Sequence, residues 1–472
     1  MAIRILSVLN YSNRRNPLAD SGVQLQCELI HAVLRKRKDF YFYLLVPHEL
    51  QGLLSPRFRG KNVQLVPIGT LSRQQGGAYH LDVRELSAIL DLQQIDVDVL
   101  FANQPELTGS LLNHFNKTHF FDIHAVGYVH WMDWQRRDHV KNRWNHPGNL
   151  SVLTSILLSH ATGCNSEYGK RRILNEASRW FNQEVLNLFE KRIVPLKPGI
   201  DVKELTAARS TRRYRVKTII FPCRAQKYTG FKRIVEGHLA KLWQKRQDFR
   251  LLVTNPSDYD YIKRLPVRFP FVEVVRLNRA EYLEALWRAD IVIGSHNGTN
   301  QWSLAIVEAL AAECVPLLNK ESFLPEMLLE PLAGRLRHEA EANYFYYRSE
   351  FSARVEGLLD HLPVHRKRMA KIGTEIRRSY NWESRVEEWI QFFEAADQAS
   401  PPLRISTEIA HQLEALIAEK KTCSKQEILR FLKWHPKSRH ISWTRYRKHL
   451  RSIFVEDDRS SQVRFSSRVG LN

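Results

Sequence analysis

The stretch from Ala289 to Pro316, ADIVIGSHNGTNQWSLAIVEALAAECVP, combines residue types and spacing that suit the seating of an anion. A short strand-like run, Ile291 to Ile293, opens into a polar loop rich in Gly and Asn, and an Ala/Leu-rich helix is predicted to start near Trp302. Unpaired backbone N–H groups and the positive end of the helix dipole would point into that loop, where a phosphate-bearing ligand is the natural occupant. Glu308, expected in the first turn of the helix, offers a carboxylate to sugar hydroxyls.

Other candidates sit where strands end. Gly22 opens a predicted helix and lets a backbone approach a ligand closely. Asn103 and Gln104 follow the run Val97 to Ala102, and His130 follows Ala125 to Val129, just before the aromatic loop that carries Trp131 and Trp134. A metal site is not expected: Asp96-Val-Asp98 has D-x-D spacing but precedes a strand and reads as a turn.

The elements that must position these groups alternate. Apolar runs at Ile3 to Leu9, Tyr41 to Val46, Val63 to Pro67, Val97 to Ala102, Thr218 to Phe221, Arg250 to Thr254, Val272 to Arg276 and Ile291 to Ile293 read as strands, with helical stretches between them. That alternation predicts an α/β fold with mostly parallel sheets, which bind ligands beyond the carboxyl ends of their strands. A length of 472 residues predicts two or three domains, and 43% hydrophobic residues with 11 Trp argue for a folded chain. The formal net charge of +21 favours a polyanionic partner, either nucleic acid or an anionic membrane surface. The five cysteines are widely spaced without a C-x-x-C pair and read as reduced core thiols of a cytoplasmic protein. No run of 18 apolar residues predicts a transmembrane segment.

The motifs resemble, in order, those of GT-B glycosyltransferases of the family 4 type. Asn300-Gln301-Trp302-Ser303-Leu304, followed by Glu308-Ala309, is similar to that family's E-G-F-G-L-x-x-x-E-A. The resemblance implies that Glu308 holds the ribose of a sugar nucleotide and that Asn300, in place of a Glu, meets the donor sugar, with Gln301, Trp302, Ser303 and Leu304 completing the donor seat. Pro222-Cys223-Arg224 through Gly230 is similar to G-R-x-x-x-x-K-G, which assigns Arg224 to the departing diphosphate. The family Lys is replaced by Thr229, so Lys227 or Lys232 would supply the second positive charge. His130 matches a family His near the reacting carbon, and Gly22 matches the first-loop glycine at the donor diphosphate. Further matches are Asn165-Ser166-Glu167-Tyr168, Pro198-Gly199-Ile200-Asp201 at the domain crossover, and Tyr380-Asn381-Trp382-Glu383 before a closing helix.

The resemblance implies a GT-B fold, two Rossmann-like domains facing across a cleft: 1–198 on the acceptor side, 199–382 on the nucleotide-sugar side, and a closing helix over 383–398 that crosses back to the first. The implied activity is retaining, metal-independent transfer of a sugar from a nucleotide-diphosphate sugar, with a UDP-sugar the first choice and no tightly bound cofactor.

Beyond Pro401-Pro402 the chain exceeds that core. Helical spacing over Ser406 to Lys420, a capping box Ser424-Lys-Gln-Glu427 and a basic helix from Ser442 to about Ser452 predict a small α-helical, helix-turn-helix-like module over 403–455, with a disordered tail over 456–472. Arg445, Arg447, Lys448 and Arg451 form the basic face. From residue 401 onward there are 15 Lys and Arg against seven Asp and Glu.

This architecture resembles that of glucosyltransferases that modify hydroxymethylated bases in phage-type DNA. It predicts a DNA acceptor, with Trp131, Trp134 and Asn103 as acceptor-side candidates and the aromatics stacking on an extruded base. Two alternatives stand beside it. One is a peripheral-membrane glycosyltransferase of lipid-linked or surface polysaccharide synthesis, and the other is a non-catalytic sugar-nucleotide-binding protein associated with DNA.

Overall fold

The computed structural model describes residues 3–9, 21–58, 60, 62–69, 72–73, 79–80, 85–86, 88–89, 97–103, 107–109, 111–112, 124–130, 147–225, 229–255, 260–295 and 301–399, and in the remainder 415, 419, 422–424, 427, 454–457 and 464–467. Lys227, Asn300, Trp131, Trp134 and the basic face Arg445, Arg447, Lys448 and Arg451 lie outside the described residues.

The apolar runs form two parallel sheets. In the first, β1 (Ile3–Val8), β2 (Phe40–Pro47), β3 (Val63–Ile68), β4 (Val99–Ala102), β5 (His124–Val129), β6 (Ala161–Cys164) and β7 (Ile193–Pro195) lie in the spatial order β3-β2-β1-β4-β5-β6-β7. In the second, β8 (Lys217–Phe221), β9 (Phe249–Val253), β10 (Val272–Val274), β11 (Ile291–Gly294), β12 (Val315–Asn319) and β13 (Phe345–Tyr346) lie in the order β10-β9-β8-β11-β12-β13. Each sheet starts in its middle, grows to one edge and then reverses. The reversal opens a crevice between β1 and β4 in one sheet and between β8 and β11 in the other, where doubly wound folds bind ligands.

Each sheet has its own core. Ile5, Phe42, Val99 and Val126 lie in the first; Ile219, Leu251, Ile291, Val307 and Leu317 lie in the second. Helix α1 (Ser21–Lys36) carries Gly22 as the second residue of its first turn. The helices that matter for the cleft are α2 (Glu167–Ala177), α3 (Arg279–Arg288), α4 (Leu304–Ala311), α5 (Leu324–Leu329), α6 (Leu362–Tyr380) and α7 (Trp382–Ala399).

On helix α7, Trp382, Val386, Trp389, Ile390 and Phe393 pack into the core of the first sheet. Trp389 stands 4.8 Å from Tyr128, and Phe393 stands 5.2 Å from Phe101. The crossover from the first domain passes beneath it. A Cβ added to Gly199 would fall 2.7 Å from the Trp382 ring and 2.9 Å from the Trp382 Cα, so this approach requires glycine. Ile200 N–H then donates to Tyr380 O at 2.7 Å.

The described residues beyond 400 include strands that the expected helical module and disordered tail do not contain. β14 (Thr422–Ser424), β15 (Phe454–Asp457) and β16 (Arg464–Ser467) form an antiparallel sheet in the order β14-β16-β15. Phe454, Val455 and Phe465 are residue types suited to a pleated, half-buried surface, a signal outweighed in sequence by the surrounding charges. Among the described residues no helix is long and apolar enough to cross a membrane.

Candidate active site

On the side of the second domain, the site starts where β8 ends. Arg224 is exposed three residues past Phe221. Thr229 is buried, and its hydroxyl donates to Arg224 O at 3.2 Å. Gly230 has φ 69°, a left-handed conformation that returns the chain to a helix. Ser295, past the end of β11, donates its hydroxyl to Thr229 O. The Arg224 loop is therefore fastened across the β8/β11 crevice.

Helix α4 completes this half. Ser303 occupies its N-cap position without a side-chain cap, and its hydroxyl lies 3.6 Å from Cys223 Sγ. The amides at such a helix start have no intrahelical acceptor and suit an anion. Helix α4 begins at Leu304, two residues later than expected, and Glu308 is its fifth residue, just past the first turn in which it was expected. It is buried, and Arg279 Nη2 lies 2.7 Å from its Oε1. Arg279 also reaches Glu204 at 3.0 Å. Burial opposes its charge, but Glu308 and Glu204 outweigh burial and hold the guanidinium above its ordinary pKa. Arg279 stands at the start of α3, which Asn278 and Glu281 close with a reciprocal capping box. Sequence marks that helix start clearly, but nothing in it pairs Arg279 with Glu308.

On the side of the first domain, His130 follows β5, Asn103 follows β4, and Gln26 reaches them from α1. His130 Nε2 lies 2.6 Å from Asn103 Oδ1. Asn103 Nδ2 donates to Gln26 Oε1 at 3.1 Å, and Gln26 Nε2 donates to Ser7 Oγ at 2.6 Å and Val8 O at 3.1 Å. Asn165, past β6, donates to His130 O at 2.8 Å, and the His130 ring meets Tyr128 edge-on at 4.6 Å. Asn103 is 2% exposed, and both atoms of its amide are engaged, by Gln26 and by His130.

The two halves touch directly. Ser166, the N-cap of α2, accepts from Gly169 N–H and donates its hydroxyl to Gln301 O at 2.9 Å. The Gln301 side chain is fully buried, with no hydrogen-bond partner for its amide among the described residues. Trp302 is buried against Tyr380 at 5.5 Å. Both side chains, expected at the donor, are buried at the start of α4. Glu326 on α5 accepts from the amides of Glu167 at 2.9 Å and Tyr168 at 3.0 Å and pairs with Lys197 at 3.2 Å.

Of the remaining candidates, Gly22 is half-buried in α1. Lys232 is exposed, pairs with Glu236 at 3.8 Å and lies over the Tyr261 ring at 5.6 Å. Asp98 accepts from Arg4 N–H at 2.9 Å. Cys27, Cys164, Cys223 and Cys314 are buried free thiols, each pushed up to about 12 by burial. Glu28, Arg279, Glu326 and Gln26 were not singled out from sequence, because each acts across a chain separation that no local pattern spans.

No protein-family model matches the chain, and no curated protein matches it in sequence. Solved structures do match its fold. A glycosyltransferase from Rickettsia africae ESF-5 aligns with TM-score 0.61 at 13% identity, covering 84% of this chain and 100% of that one. HepE of Anabaena in complex with UDP-glucose aligns with TM-score 0.57 at 10% identity, over 83% and 100%. Sucrose-phosphate synthase from Thermosynechococcus elongatus aligns with TM-score 0.59 at 12% identity, over 84% and 100%. At these identities the likeness establishes the fold: two Rossmann-like domains in the GT-B arrangement.

Proposed function

We propose that this chain is a retaining glycosyltransferase that moves a sugar from a nucleotide-diphosphate sugar to an acceptor without a metal ion. The observation that carries the reading is the content of the two switch-point crevices. One holds His130 and its hydrogen-bonded supports; the other holds Arg224, the start of α4 and buried Glu308. Such a cleft supplies what the chemistry needs. As the bond from sugar to diphosphate breaks, negative charge grows on the leaving group, and a guanidinium with preorganised helix amides stabilises it. Glu308 accepts from the ribose, and His130 lies toward the donor sugar. Lys227 or Lys232 supplies the second positive charge. A UDP-sugar is the donor, in keeping with HepE, a protein of the same fold bound to UDP-glucose.

The acceptor in this reading is a hydroxymethylated base in DNA. The charge of +21 supports it, as does the order of the C-terminal strands. Combined with the helices predicted from sequence, the module runs helix, strand, helix, helix, strand, strand, with the three strands paired as β14-β16-β15. That is the arrangement of a winged helix-turn-helix, in which a basic helix reads the groove and a β-hairpin flanks it.

The test is transfer of labelled sugar from a panel of nucleotide sugars to hydroxymethylated DNA, unmodified DNA and lipid acceptors. Label in hydroxymethylated DNA is expected, with kcat reduced about 100-fold in Arg224→Ala. Label in lipid alone would refute the DNA acceptor, and donor binding without transfer to any acceptor would identify a non-catalytic binding protein. DNA binding should weaken with salt and be lost on removal of residues 401–472.

A further inference from the structure

We propose that Gln26 and Asn103 are positioning residues that fix the proton of the His130 ring on Nε2. The inference deepens the reading of His130 as a donor-site group and follows from the polarity of three consecutive contacts. Val8 O is a backbone carbonyl and can only accept, so the Gln26 atom 3.1 Å from it must be the amide nitrogen. Gln26 Oε1 therefore faces Asn103, and the atom that meets it at 3.1 Å must be the donor Nδ2. That leaves Asn103 Oδ1 facing the histidine, and an oxygen without a hydrogen requires an N–H on Nε2 at 2.6 Å.

Each step removes one freedom. An amide can ordinarily turn over and exchange its donor for its acceptor, which would let the imidazole carry its proton on either nitrogen. Here the backbone of β1 sets the orientation of Gln26, Gln26 sets Asn103, and Asn103 sets His130. Gln26 is 1% exposed and Asn103 2% exposed, so water does not compete for these contacts. Asn165 holds the His130 backbone through its carbonyl, and Tyr128 supports the ring edge-on. In the neutral ring the lone pair is then confined to Nδ1, and that atom is the one through which His130 acts as an acceptor. The arrangement spans the β1/β4 crevice, placing the device at the switch point itself.

The experiment uses the full chain labelled with 13C,15N-histidine, the His130 resonances being those missing from His130→Gln. Wild type is expected to show a pyrrole-type Nε2 and a pyridine-type Nδ1 at a pH where the ring is neutral. Gln26→Leu frees the Asn103 amide to turn, and Asn103→Leu removes it; both should give a mixture of tautomers. Asn103→Asp keeps an acceptor against Nε2 and should retain the wild-type tautomer. A wild-type ring protonated on Nδ1, or Leu variants with the wild-type tautomer, would overturn the proposal. Should the Leu variants fail to fold, the wild-type spectrum decides alone. If the chain also transfers sugar, kcat should fall about 10- to 100-fold in Asn103→Leu and recover in part in Asn103→Asp. Absence of transfer would count against the glycosyltransferase reading and leave the tautomer result standing.

Discussion

Arg279 Nη2 stands 2.7 Å from Glu308 Oε1, so the carboxylate expected to hold a ribose is already oriented by a guanidinium from the neighbouring helix. Glu308 is nearly inaccessible whereas Arg279 is about one-third exposed, so loss of the arginine strands a charge that water reaches poorly. Arg279→Met is expected to destabilise the protein by about 2 kcal/mol, below the range for a fully buried pair, measured by urea unfolding. It should also raise the donor KM more than it lowers kcat; an unchanged KM would separate Glu308 from donor binding.

Glu28 titrates near neutrality. Burial raises its pKa from 4.5 to about 7, more than the donors Trp382 Nε1 and Gln24 Nε2 lower it, and the charge of Glu308 adds to the rise. Between those values the folded protein holds a proton that the unfolded chain has released, so this group's contribution falls as pH rises through the window and is level above it. The loss should be about 2 kcal/mol, reduced from the full shift because the residue is only half-buried. Glu28→Gln should therefore gain stability relative to wild type from about pH 4.5 to about pH 7; parallel stability curves would refute this assignment.

Glu326 fastens the second domain to the first by accepting from the Glu167 and Tyr168 amides and pairing with Lys197. Glu326→Ala leaves both amides without this acceptor and should cost about 2 kcal/mol. X-ray scattering should also show a larger radius of gyration for the variant; an unchanged radius would mean that Glu326 does not hold the domains together.

Gly199→Ala introduces a Cβ that must displace the Trp382 backbone as well as its ring. A loss of about 2 to 3 kcal/mol is expected from overpacking, read as a lower midpoint of thermal unfolding. A wild-type midpoint would mean that the crossover moves aside freely.

Local sequence determined much of this architecture because strand and helix formation depend on neighbours. The run Thr218 to Phe221 lies within β8, Ile291 to Ile293 within β11, and the predicted closing helix within α7. The order of strands and helices located Arg224 past the end of β8 and Glu308 on the helix after β11. The C-terminal strands were missed where charged neighbours obscured a few apolar residues, and the start of α4 was set by the backbone conformation of Ser303 rather than by the apolar run around it.

Tertiary structure decided which groups meet. Asn103 meets Gln26 on one side and His130 on the other, and the Gln301 and Trp302 side chains are buried. Arg279 finds Glu308, and Glu28 finds Trp382, across separations that no periodicity encodes. The physical reason is directional chemistry: a hydrogen bond or ion pair requires its partner within about 3 Å at a set angle, and only the packed sheets and helices bring distant residues to that position.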